Sequence, residues 1–179
     1  EGSLTIQTGG ILNIQNLGTS LGNPGPRIDG AALSIGNVPG VNGTAALEGR
    51  VNLTDGTILV ETNDNNGNAF IAVGRDGTGT FNATDSAVTI QAEDNSAILF
   101  LGGTGTSGSL VNSQGTATFD NSTIVINSDS TGTGSAVLNV GRNGNGGTNT
   151  LNVNNGSTIT LSNDAASSGS ESLTVGRNN

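Results

Sequence analysis

Apolar residues recur at every second position in short bursts along this chain, and each burst ends in a polar or glycine-rich turn. Leu4/Ile6 and Leu12/Ile14 open the series, and Leu33-Ser34-Ile35-Gly36 closes its first set. The closing text returns as Ile71-Ala72-Val73-Gly74, Leu99-Phe100-Leu101-Gly102, Leu138-Asn139-Val140-Gly141 and Leu173-Thr174-Val175-Gly176. Two further bursts lie between successive closings: Val51/Leu53 then Ile58/Val60, Phe81/Ala83 then Val88/Ile90, Ala117/Phe119 then Ile124/Ile126, and Leu151/Val153 then Ile159/Leu161. A period of two marks each burst as a strand with one face inward. Helical periodicity is absent, and the strands are expected to be three to five residues long.

The closing glycines stand 38, 28, 39 and 35 residues apart, whereas the first apolar residues of the paired bursts are offset by 8, 7, 7, 7 and 8. A unit of fixed geometry with variable loops is therefore being stacked. Three short strands per unit, repeated five times, predict an all-β right-handed parallel β-helix (a solenoid) of about five coils, with residues 1–179 forming a single β-helical repeat domain. Right-handedness is expected because the strict hexapeptides of left-handed helices are missing. An antiparallel sandwich or barrel is the competing fold, but hairpins would not need a three-beat cycle. At ~4.8 Å per coil the stack would be about 24 Å long.

Composition narrows the chemistry. Leu, Ile, Val and Phe supply 43 of 179 residues, enough for a thin core, and with 30 Gly and only 4 Phe a thick interior cannot be filled. There is no Cys, His, Lys, Trp, Tyr or Met, which removes thiol and imidazole chemistry, disulfides and ordinary zinc sites. A net charge of −9 repels phosphate backbones, so nucleic acid is not an expected partner. No uninterrupted apolar run exceeds five residues, as in Ala97–Leu101, and no transmembrane segment is expected. Residue 1 does not open a signal peptide, so any export signal is expected to have been removed or to lie outside these residues.

The repeat text Val73-Gly74-Arg75-Asp76-Gly77-Thr78-Gly79-Thr80-Phe81-Asn82 returns as Val140-Gly141-Arg142-Asn143-Gly144-Asn145-Gly146, followed by Thr150-Leu151-Asn152-Val153 and Asn155-Gly156-Ser157-Thr158-Ile159. This resembles the VGxxGxGTLxVxxGSTVxL repeats of autotransporter-type passenger domains and related secreted bacterial surface proteins, over nearly the whole chain. Two copies depart from it, with Gly103 or Asn37 where Arg75 and Arg142 stand. The resemblance implies a β-helical scaffold of the kind shared by adhesins, matrix proteins and some exported enzymes, and so speaks to fold more than to function.

Several residues invite a functional reading beside a structural one. Arg75, Arg142 and Arg177 each follow a closing glycine; a guanidinium there can hold an anion or a carboxylated glycan, although bracing a turn is the simpler role. Asp29, Glu61, Asp64, Glu93, Asp94, Asp129, Asp164 and Glu171 fall between second and third strands. Oxygen-rich loops can bind Ca²⁺, but without the calcium-repeat cadence a solvated acidic face accounts for them better. Asp55, Asp85 and Asn121 each precede a second strand by three residues and suit left-handed turns. Sequons at Asn42, Asn52, Asn82, Asn121 and Asn155 are what an Asn/Ser/Thr-rich chain generates by chance.

No catalytic, cofactor-binding or metal-binding residues stand out, and no cofactor is expected. β-Helices also house polysaccharide lyases and glycosidases, but no spacing singles out a carboxylate pair and no Lys or His base exists. The expected function is an extracellular structural or adhesive protein, not an enzyme, forming a rigid β-helical rod or filament at the cell surface. Surface glycans or host receptors are candidate partners. Both ends read as strand text, so the terminal coils are expected to be completed by further repeats or by end-to-end stacking of subunits.

Overall fold

The computed structural model describes residues 2–16, 30–36, 48–63, 67–75, 77–93, 95–102, 113–129, 133–141, 147–163 and 168–176. Coil 1 holds Gly2–Ile6 (β1), Ile11–Asn16 (β2) and Gly30–Ile35 (β3); coil 2 holds Glu48–Thr54 (β4), Thr57–Thr62 (β5) and Asn68–Val73 (β6). Coil 3 holds Thr78–Thr84 (β7), Ala87–Glu93 (β8) and Ala97–Leu101 (β9), and coil 4 holds Gln114–Asp120 (β10), Thr123–Asp129 (β11) and Ala136–Val140 (β12). Thr150–Asn154 (β13), Thr158–Asn163 (β14) and Glu171–Val175 (β15) make coil 5. Strands of the same rank pair in parallel from coil to coil, giving three five-stranded sheets, β1-β4-β7-β10-β13, β2-β5-β8-β11-β14 and β3-β6-β9-β12-β15. The chain is a parallel β-helix, and the antiparallel sandwich is excluded because every one of these pairings is parallel. Among the described residues no helix is long and apolar enough to cross a membrane.

The strands run five to seven residues, longer than the apolar bursts suggest. A neighbouring coil gives ladder partners to the polar residues flanking each burst, which keeps them extended as well.

Inside, residues of the same rank stack in rows. Ile35, Val73, Leu101 and Val140 form one, joined by Val175 at the end, and Leu12, Ile58, Val88, Ile124 and Ile159 form another. The first sheet accommodates its two rings by alternation: Phe81 pairs with Ala117 and Phe119 with Ala83. Each ring thus lies beside a methyl group, and the two rings meet edge to face with centroids 5.6 Å apart. Large opposite small at constant row volume lets a narrow interior hold aromatic residues without a void.

The third sheet breaks the inward-apolar, outward-polar rule. Its outward rows include Phe70, Ile98 and Val137, then Ala72, Phe100 and Asn139. Phe70 and Phe100 meet edge to face at 6.4 Å. Phe70, Ala72 and Asn139 are only 6%, 0% and 2% exposed, whereas Ile98, Phe100 and Val137 are half-buried, so this outer face is partly covered. The unalternated run Ala69–Val73, buried throughout, is the sequence signature of such burial, whereas the equally apolar Ala97–Leu101 keeps its outward residues half-buried. Asn139 Nδ2 is buried there without a hydrogen-bond partner. Replacing it by Leu of similar volume is expected to raise unfolding free energy by about 1 kcal/mol, read from the urea midpoint, because an unsatisfied buried donor is removed. A fall in the midpoint would mean that the amide is satisfied in solution.

Candidate functional site

The features that set one coil against the next are concentrated at the corners. After each third strand the closing glycine adopts a left-handed conformation, with φ of 68° at Gly36, 68° at Gly74, 65° at Gly102, 76° at Gly141 and 64° at Gly176. Its N–H donates to the last strand residue of the coil before, as from Gly74 to Ile35 O at 2.7 Å and from Gly102 to Val73 O at 2.8 Å. Between first and second strands the Asx residues do the corresponding work: Asp55, Asp85 and Asn121, with Asn155 as a fourth member, have φ of 49°, 51°, 47° and 48°. Asx side chains tolerate this region better than most. Asp55 N–H donates to Thr84 O and Asp85 N–H to Asp120 O, both at 3.0 Å.

The like charges at Asp55 and Asp85 are exposed, and the following amides relieve part of the crowding. Asn121 Nδ2 donates to Asp85 Oδ1 and Asn155 Nδ2 to Asp120 Oδ1, each at 2.6 Å. Among the described residues no group of three or more His, Cys, Asp or Glu is placed to hold a metal ion. Of the eight loop acids, Asp29, Asp64, Asp94 and Asp164 lie outside the described residues. Glu61 accepts a hydrogen bond from Gln15 Nε2 at 2.7 Å. Glu93 and Asp129 are register partners at one exposed edge of the second sheet. Glu171 is elsewhere: it begins β15 in register with core Ala136.

The arginine row is described at one position. Arg75 is half-buried and its carbonyl accepts the Ser113 hydroxyl at 2.7 Å, so the backbone here braces the corner. Arg142 and Arg177 lie outside the described residues, as do Asn37, Gly103 and Asn42. A groove of about 520 Å³ runs over the outer face of the first sheet, lined by Ser3, Glu48, Arg50, Asn52, Thr78 and Thr80 among others. Its described lining holds one carboxylate, Glu48.

Two serine ladders escape the apolar pattern. Gly56, Ser86 and Ser122 N–H groups donate to Oγ of the serine one coil further on, Ser86, Ser122 and Ser157, at 3.3, 3.1 and 2.9 Å. At the entry to the third sheet, Ser135 and Ser170 N–H groups donate to Ser96 and Ser135 Oγ of the coil before, both at 3.1 Å. Their only trace in the chain is a serine two residues before Val88, Ile124 and Ile159, and one residue before Ala97, Ala136 and Glu171.

The ends of the stack differ from its middle. Val153, Leu173 and Val175 are 45%, 63% and 71% exposed in coil 5, although their row partners Phe119, Leu138 and Val140 are buried. Leu4, at the opposite end, is also exposed while its partner Val51 is buried. No family model matches this chain, nor does any curated protein or solved structure.

Proposed function

We propose that this protein is an extracellular structural or adhesive element of the autotransporter-passenger type, a rigid β-helical segment that extends lengthwise into a rod or filament at the cell surface. The observation that carries this reading is the repetition of one three-strand coil five times, each sheet continuing in parallel from coil to coil, with the corners held by the same glycine and Asx turns. Regular rows and corner ladders support stiffness, since each coil is bonded to its neighbours on all three sheets. The resemblance of the repeat text to secreted surface proteins supports the extracellular setting, and the exposed acidic side chains suit presentation in water.

Electron microscopy and small-angle scattering over a concentration series test this. Particles should lengthen along the coil axis at constant cross-section, with no cleavage of polysaccharides. Compact particles of one size at every concentration would count against the rod, and polysaccharide cleavage would move the assignment to the carbohydrate-active enzymes.

A further inference from the structure

The outer face of the first sheet is a lattice of short polar side chains. In coils 2 to 4 its outward rows read Glu48, Thr78 and Gln114, then Arg50, Thr80 and Thr116, then Asn52, Asn82 and Thr118. The groove of about 520 Å³ lies over one part of this lattice, where Glu48, Arg50, Asn52, Thr78 and Thr80 line it. These five residues belong to coils 2 and 3, each of which has a coil on either side, so their setting is that of the interior of the stack.

Arg50 is exposed, and among the described residues no ion pair or hydrogen bond engages its guanidinium. Glu48 stands two residues before it on the same face without pairing with it. Alternate residues of a strand are about 6.7 Å apart, so the two charges meet only if both side chains lean together. Asn52, two residues further on, is fixed by Asn82, whose Nδ2 donates to its Oδ1 at 3.0 Å. The Asn52 Nδ2 is thereby left to donate elsewhere, beside the guanidinium. One coil on, Thr78 and Thr80 stand opposite Glu48 and Arg50 and add two hydroxyls to the same groove.

A guanidinium offers a carboxylate two parallel N–H groups, and here no described residue takes them. Glu48, which when ionised only accepts, suits sugar hydroxyls and repels a second anion nearby. A net charge of −9 works against polyanions in the same way. The ligand class that meets both conditions is a sugar ring with one carboxylate among neutral hydroxyls. Its carboxylate would sit on Arg50 and Asn52, and its hydroxyls on Glu48, Thr78 and Thr80. The described lining holds no aromatic side chain for the ring to stack on, so a single site binds weakly, and many copies along a rod would supply the avidity.

We propose that the groove over the first sheet binds a carboxylated sugar, with Arg50 holding the carboxylate. The inference rests on the adhesive reading and names its partner class. NMR titrations of the full chain with methyl glucuronide, methyl glucoside and acetate, on wild type, Arg50→Gln and Arg50→Lys, test it. Methyl glucuronide should shift the Arg50 Nε–H and Asn52 side-chain amide signals of wild type with millimolar affinity. The glucoside, which lacks the carboxylate, and acetate, which lacks the ring, should each bind at least about tenfold more weakly, and Arg50→Gln should lose as much toward the glucuronide, because a charged hydrogen-bond pair is removed. Arg50→Lys keeps the charge without the fork and should fall between. Arg50 is exposed, so both variants should melt as wild type does. Glucoside binding as tightly as glucuronide would make the site one for neutral sugars, and acetate binding as tightly would reduce it to a bare anion contact; either overturns the proposal. So would an Arg50→Gln variant that binds as wild type does, or a glucuronide that shifts nothing at any concentration. Electron microscopy reads the rod separately: rods without glucuronide binding leave the rod standing and remove this site, whereas binding without rods keeps the site and removes the rod.

Discussion

Leu101→Asp is expected to unfold the chain at neutral pH. Leu101 is 0% exposed, with Val73 before it and Val140 after it in the same row. The substitution removes a buried aliphatic side chain, worth about 2–5 kcal/mol as a cavity. It also places a carboxylate where the row offers no partner, which adds several kcal/mol more. The combined cost approaches the roughly 5–15 kcal/mol total stability of an ordinary domain. Because burial favours the neutral acid, the introduced group binds its proton more tightly folded than unfolded. The penalty should therefore shrink as pH is lowered through the carboxylate range and be largest above it. Leu101→Asn, with a similar shape and no titrating proton, should be destabilised at every pH alike. Circular dichroism melts of both variants between acidic and neutral pH check this; a melt of Leu101→Asp matching wild type at neutral pH would mean that the row does not face inward.

Gly74→Ala is expected to cost about 3 kcal/mol or more, several times the cost of the same substitution at Gly9. Both glycines are left-handed, with φ of 68° and 72°, so each alanine bears the roughly 1–2 kcal/mol conformational penalty of that region. They differ in the space around them. A Cβ on Gly74 would run into the Gln114 carbonyl and the Gly115 N–H, backbone atoms of coil 4, whereas a Cβ on Gly9 would meet nothing within 4 Å. A Cβ on Gly115 would in turn meet Val73 O and Gly102 N, which are themselves hydrogen-bonded to each other, so that coil has no slack with which to yield. Urea unfolding of the two variants isolates the steric part as the difference between them. Equal losses would show that the coils separate enough at this corner to admit a methyl group, and that the glycine serves conformation alone.

The alternating bursts and their recurring Gly36, Gly74, Gly102, Gly141 and Gly176 carried the architecture, because every coil of a stacked helix meets the same local requirement, two inward residues per strand and then a bend only glycine makes easily. The Asx positions were legible for the same reason, since a left-handed corner selects side chains by local sterics. Residue identity also excluded thiol and imidazole chemistry outright, for chemistry cannot occur without its atoms. What could not be read from the chain was anything depending on which coil lies above which. The ladders from Ser86 and Ser135 join residues some 36 and 39 positions apart, and a serine carries no mark of whether its acceptor is water or another coil. Phe70 sits at an outward position, and only packing shows that it is buried. Glu171 looks in the sequence like one more loop acid beside Asp164. Its place in an alanine row comes from strand register, which is set jointly by all the coils and by no single stretch of residues.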